Sequence, residues 1–150
     1  MKKFFLAALL VATIATSAFA DENKVSSRVI SNFKSDFTDA KNINWTAGKE
    51  FVRVTFVLNN EKLEAFYAFD GSLIATSKAI ALDKLPESAV RYITKKYPFP
   101  PHKLKECIEM TDAEGTVKYY VSFVKEGKTK TILEVAENGG VHLYKEEKVK

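Results

Sequence analysis

A single cysteine, Cys107, leaves no partner for an internal disulfide, so packing rather than covalent cross-linking must hold this 150-residue chain together. Histidine is nearly as scarce. His102 and His142 stand in no pair with ligand spacing, and a metal centre of the usual imidazole or thiolate kind finds no ligand set. The six glycines are scattered at turns and form neither a Walker pattern nor a dinucleotide fingerprint, which removes the common phosphate cradles. Asp112-Ala113-Glu114-Gly115 begins like a calcium loop but lacks the terminal glutamate, and reads better as a hairpin turn. No cofactor is expected. Charge of one sign is lacking too: 23 Lys and Arg stand against 19 acids, and the lysines are dispersed among glutamates rather than gathered into a stripe. That balance predicts no nucleic-acid partner.

Long apolar runs are missing except near the start. Lys2 and Lys3 precede an uncharged run from Phe4 to Ile14, and the segment closes with Ala18-Phe19-Ala20. This is the pattern of a secretory signal peptide cleaved between Ala20 and Asp21. The run is shorter than the ~20 residues a bilayer span needs, and no second one follows, so no stable membrane anchor is expected after cleavage. Residues 1–20 therefore read as a leader, and 21–150 as one exported domain, periplasmic or secreted, of a size that supports one modest core. Without Lys2 and Lys3 the net charge is about +2.

What is present suggests duplication. Val25, Val29 and Phe33 lie on one helical stripe, and Ala89, Ile93 and Tyr97 repeat its spacing. Ile43-Asn44-Trp45-Thr46 is echoed by Ile108-Glu109-Met110-Thr111, Val54-Thr55-Phe56-Val57 by Val121-Ser122-Phe123-Val124, and the turn at Asp70-Gly71 by Asn138-Gly139. The first helix is expected over about Lys24–Asp39. The second starts at Pro86, with Glu87 favouring the N-terminal dipole end, and Pro98 stops it near Tyr97. Strands are expected over Val52–Leu58, Lys62–Phe69, Ser72–Ser77, Cys107–Thr111, Lys118–Val124, Thr129–Val135 and Val141–Tyr144, with a frayed tail beyond. The fold class expected is α+β: a tandem repeat of a helix plus an antiparallel strand meander, about 24–80 and 81–145, forming one sheet with helices packed on one face.

Chemistry-bearing constellations are not evident. Cys107 sits between Glu106 and Ile108 in a strand pattern, where a small buried hydrophobe is the usual role, and His102 follows the stiff connector Pro98-Phe99-Pro100-Pro101. Trp45 is placed in the core by its counterpart Met110. The positive candidates are surfaces. Tyr119 and Tyr120 must point to opposite sides of a strand. If one sheet face is left free of helices, Phe51, Phe66 and Tyr120 could form a concave protein-binding patch on it; the preferred reading is that they complete the core beneath the two helices, since two helices over one sheet need many large residues on the covered face.

Three stretches carry a family resemblance: Ala40-Lys41-Asn42-Ile43-Asn44-Trp45, Phe69-Asp70-Gly71-Ser72-Leu73-Ile74, and Leu85-Pro86 through Val90, Ile93 and Tyr97-Pro98. They resemble the PepSY-like family of exported bacterial proteins, described as similar to the β-lactamase inhibitor protein. The resemblance runs from about Val25 to Tyr144. It implies a tandem α+β repeat, one antiparallel sheet and an exported location, and it transfers no catalytic or binding residue. Together these readings point to a non-enzymatic binding module with an exported protein partner, modulating or inhibiting an extracytoplasmic enzyme through its sheet face or a hairpin. The alternative is a small-ligand binder or minor enzyme, with His142, Glu109 and Tyr119 converging on a cavity between sheet and helices.

Overall fold

The structure, a computed structural model, describes residues 25–149. The proposed leader and its Ala20–Asp21 cleavage point lie outside the described residues. Helix α1 (Ser27–Asp36) is followed by strands β1 (Lys41–Ala47), β2 (Val52–Leu58), β3 (Glu61–Tyr67) and β4 (Leu73–Ala79). Helix α2 (Glu87–Lys96) then precedes β5 (His102–Asp112), β6 (Val117–Lys125), β7 (Thr129–Ala136) and β8 (Val141–Lys148). All eight strands form a single antiparallel sheet in sequence order, β1 to β8.

That topology corrects the expected fold class. The protein is one continuous eight-stranded meander carrying two ten-residue helices, not a repeated helix-plus-strand pattern. The reason is the pairing of β4 with β5, which runs from Ala75 opposite Asp112 to Ala79 opposite Ile108. A ladder therefore crosses the place where two units were expected to meet. The echo between segments also fails at Trp45 and Met110. Trp45 packs edge-on against Phe33 of α1, with ring centroids 5.1 Å apart, whereas Met110 belongs to a cluster on the other side of the sheet.

Period-two alternation sorts the side chains. Val52, Val54 and Phe56 of β2 point to the side that α1 covers, joined by Ala65 and Tyr67 of β3. Phe33 is the hub of this cluster and meets Phe37, Trp45, Phe56 and Tyr67 at centroid distances of 5.0 to 6.4 Å, geometry in which edge-to-face ring contacts add to simple burial. Tyr67 also donates its hydroxyl to Asp36 Oδ2 at 2.7 Å, tying β3 to the end of α1. Burial first, and then this carboxylate, push the Tyr67 hydroxyl well above the ordinary tyrosine range. On the same face α2 sets Ala89 and Ile93 against Cys107, Val121, Leu133 and Val135. Cys107 is the buried hydrophobe its neighbours predicted, with burial pushing its thiol up to about 11.

Local chemistry sets the boundaries. Ser26 caps α1 by accepting from the Val29 amide at 3.3 Å, so the helix starts three residues later than the apolar stripe suggested. Pro86 is extended, with ψ 135°, and caps α2 from outside instead of occupying its first turn. Asn59 and Asn60 both have positive φ in the two-residue turn between Leu58 and Glu61, and Glu126 and Gly127 do so in the three-residue connection between Lys125 and Thr129, both tight links that suit a right-twisted hairpin. Asp112 Oδ1 accepts from the Glu114 and Thr116 amides at 3.0 and 2.8 Å, so the calcium-like stretch is a hairpin turn. The tail departs from expectation. β8 continues through Lys145, Glu146 and Glu147 because each has a partner on β7, and Val149 donates to the Lys128 carbonyl at 2.8 Å.

Two turns press on the helices. A Cβ at Gly71 would meet Arg28 Cγ at 2.7 Å, and one at Gly139, whose φ is +86°, would collide with Ser88 Oγ at the start of α2. Gly115 shares that φ but has open space around it. Gly139→Ala is therefore expected to cost about 2 kcal/mol more than Gly115→Ala in denaturant unfolding, the difference measuring overpacking alone. Equal costs would show that the turn does not bear on α2.

Candidate interaction face

The strand residues that alternate with the helix-side core converge on the opposite face of the sheet. Across β2, β3, β4 and β5 the register places Arg53, Phe66, Ala75 and Asp112 in one row. A second row carries Ile108, Tyr120, Glu134 and His142 across β5 to β8. Because both helices lie on the other side, the cluster here draws its members only from strands and from Phe51, just ahead of β2. They are Phe51, Phe66, Ala75, Met110, Tyr120 and Ile132, flanked by Ile74, Ile108 and Tyr144.

The three aromatics singled out from sequence are thus brought into one cluster. Phe51 meets Phe66 edge-on at 5.7 Å, and Tyr120 meets Tyr144 edge-on at 5.4 Å. Their exposure is not what a presented patch would show: Phe51 is 8 %, Phe66 2 % and Tyr120 2 % exposed. As placed, they are the floor of this face rather than its contact surface. Tyr120 was the candidate for the exposed member of its pair, and it is the more deeply buried one, because Glu134 and Tyr144 close over its ring edge. Its hydroxyl donates to Glu134 Oε2 at 3.0 Å, and the second carboxylate oxygen takes Lys118 Nζ at 2.9 Å. Burial, and next the Glu134 charge, hold the Tyr120 hydroxyl far above its ordinary value.

Polar groups that sequence reasoning missed share the face. Arg53 Nε, Ser122 Oγ and Tyr144 OH are buried without a hydrogen-bond partner, and all three side chains belong to the helix-free side. Arg53 reaches Glu64 only at 3.8 Å, through Nη1. A buried polar atom left unpaired costs about 1–3 kcal/mol, so three on one face are an unusual burden for a free-standing surface. The one sequence signal that could have found them was alternation: Arg53 and Thr55 interrupt the apolar pattern of β2 on the side away from the core.

The alternative site does not assemble. Val29, Phe33, Val54, Phe56, Ala65, Ala89 and Val121 have no exposed surface, and none of the described clefts is lined by a residue of either helix. Glu109 and Tyr119 are register partners on the helix side, where Lys78 holds Glu109 at 3.5 Å, while His142 sits across the sheet opposite Glu134. Among the described residues no three His, Cys, Asp or Glu side chains gather to hold a metal ion.

Comparison of this fold with solved structures finds several similar chains. A BLIP-like protein from Bacteroides fragilis superposes with a TM-score of 0.67 at 14% identity, over 86% of this chain and 92% of that one. The chain has the BLIP-like fold. A DUF2874 family protein from Bacteroides ovatus gives a TM-score of 0.69 at 16% identity, covering 84% of this chain and 89% of its own. A suspected periplasmic protein from Bacteroides eggerthii also gives 0.69, at 15% identity, covering 83% and 88%. No family model matches the sequence, and no curated protein matches it either. The PepSY-like resemblance is therefore left resting on its motifs, whereas the likeness to a BLIP-like fold stands on the superposition.

Orphaned hydroxyls make a measurable statement about the free chain. Removing a buried hydroxyl that has no partner relieves its desolvation cost, so Ser122→Ala and Tyr144→Phe are each expected to leave stability unchanged or raise it by up to ~1 kcal/mol in chemical denaturation. A loss above that size would mean that these groups already have partners in the free protein.

Proposed function

We propose that this chain is a non-enzymatic, exported binding module that engages a protein partner through the helix-free face of its sheet. The observation that carries the reading is a helix-free sheet face whose aromatic cluster, Phe51, Phe66 and Tyr120, is flanked by partly buried Ile74, Ile108 and Tyr144 and holds three buried unpaired polar atoms, on Arg53, Ser122 and Tyr144. Around that aromatic floor the partly buried Ile74, Ile108 and Tyr144 offer apolar surface, and a partner that covers it gains free energy by excluding water. Its extent argues for a macromolecule. From Arg53 on β2 to Tyr144 on β8 is six strand spacings, ~29 Å at ~4.8 Å each, well beyond a small ligand.

Export is supported by the leader pattern over residues 1–20 and by likeness in fold to a suspected periplasmic protein. No helix among the described residues is long and apolar enough to cross a membrane. Likeness to a BLIP-like protein favours a partner that is itself an enzyme, which the module would restrain or modulate; the identity of that partner is set by side chains and not by the fold.

The test is affinity capture of extracytoplasmic proteins by the wild-type chain and by face variants. Tyr144→Ala should cost a hot-spot-sized ~2 kcal/mol, roughly thirtyfold in Kd. Arg91→Ala, on the solvent side of α2, should change nothing. A partner whose affinity ignores Tyr144 but responds to Arg91 would move the site to the helices.

A further inference from the structure

Backbone hydrogen bonds tie together one end of the β5–β8 half of the sheet. The Glu126 amide, in the β6–β7 turn, donates to the Pro101 carbonyl at 3.3 Å, the Lys128 amide to the Lys125 carbonyl at 2.9 Å, and the Val149 amide to the Lys128 carbonyl at 2.8 Å. Tyr97, which closes α2, stacks on Phe123 of β6 and meets His102 of β5 edge-on, both at 5.4 Å. The last turn of α2, the connector 98–101, the β6–β7 turn and the end of β8 therefore share one surface. Lysines that are dispersed in the sequence meet there. Lys95, Lys96, Lys103, Lys125, Lys128 and Lys148 are all exposed, and of these six only Lys128 has an ion-pair partner among the described residues, Glu126 at 4.0 Å. Lys145 holds Glu147 at 2.6 Å, which leaves Glu106 and Glu146 as the unpaired acids nearby. The opposite end of the same strands is acidic, with exposed Glu87 at the start of α2, Glu114 in the β5–β6 turn and Glu137 in the β7–β8 turn. The dipole of α2 accounts for Glu87, Lys95 and Lys96, but not for the lysines at the strand ends.

Apolar side chains stand among these lysines. Phe99 is 79 % exposed and Val149 44 %. Pro98 and Pro100 flank Phe99, and the connector is tied at both ends, by the His102 amide on the Pro98 carbonyl at 3.2 Å and by the Glu126 amide on Pro101. A stiff, anchored loop thus holds the ring out in water, where it gains nothing from packing. We propose that this end of the protein rests on an anionic phospholipid surface, with the lysines against the headgroups and Phe99 entering the interface. A soluble polyanion would engage the lysines but offers no apolar phase for Phe99, and a second copy meeting basic end to acidic end would set the ring against glutamates. The proposal goes beyond the protein-binding face and does not depend on it. Contact is made at the strand ends, so the sheet stands up from the surface and its helix-free side stays open to a partner. Such a contact is reversible and salt-dependent, unlike a membrane-spanning anchor.

The test is co-sedimentation of the chain lacking residues 1–20 with vesicles of phosphatidylcholine alone or mixed with phosphatidylglycerol. The expected result is binding to the mixed vesicles only, weakening as salt is raised. Lys95→Glu and Lys125→Glu, both at exposed positions, should each weaken partition about fivefold or more. Phe99→Ser should weaken it about tenfold, whereas Phe99→Trp should bind and show blue-shifted emission with the mixed vesicles alone. Glu137→Gln, at the acidic end, should bind like the wild type. Absence of binding to the mixed vesicles at low salt, or equal binding to neutral ones, overturns the proposal. Binding that ignores Phe99→Ser and is competed away by heparin overturns it in favour of a soluble polyanion, and salt-sensitive self-association in place of vesicle binding does so in favour of a second copy. Each of these failures leaves the Tyr144 dependence of partner capture standing, so the two readings fail separately.

Discussion

The short antiparallel ladder between β4 and β5 is the constraint on which everything else rests. Its paired rows from Ala75–Asp112 to Ala79–Ile108 join a four-stranded meander on each side into one sheet. Because side chains alternate strictly along each strand, a continuous ladder also keeps the two faces in phase from β1 to β8. The helix-side clusters around Phe33 and Ile93 therefore fall on one side, and the cluster around Phe66 and Tyr120 falls wholly on the other. A slip of one residue in that ladder would send half of the aromatic floor to the wrong face.

The two faces are built under different rules. Beneath α1 the buried cluster is apolar apart from Tyr67, whose hydroxyl is satisfied by Asp36. On the helix-free side apolar rings are mixed with Arg53, Ser122, Lys118, Glu134 and Tyr144, and only part of this set is satisfied internally. A half-satisfied buried network is a poor stabiliser. That asymmetry, together with an absence of converging catalytic groups in the sequence, is why a surface rather than a pocket carries the functional reading.

Much of this was legible in the chain. The apolar stripes through Val29 and Phe33 and through Ala89 and Ile93, the alternation of Val52, Val54 and Phe56, and the Asn59-Asn60 and Glu126-Gly127 turns all signal locally what they become, because propensity and pattern there agree with the final packing. Three features were not legible. Pairing of β4 with β5 is a contact across the whole of α2, and no local pattern in Leu73–Ala79 encodes its neighbour. The continuation of β8 through Lys145-Glu146-Glu147 is hidden by composition, since charged residues read as a frayed tail until β7 provides their partners. The burial depth of Phe51, Phe66 and Tyr120 was not legible either, because alternation assigns a face but not the depth at which neighbouring side chains leave a ring on that face.

Native-state amide hydrogen exchange across the β4–β5 ladder tests the account most directly. One cooperative sheet predicts that the paired amides within Ala75–Ala79 and Ile108–Asp112 exchange only through global unfolding, with the same free energy as amides at Val54–Phe56 and Val121–Phe123. Seam amides that exchange orders of magnitude faster, while the flanking strands report two unequal stabilities, would contradict it, for the protein would then be two meanders in contact and the continuous helix-free face would not exist.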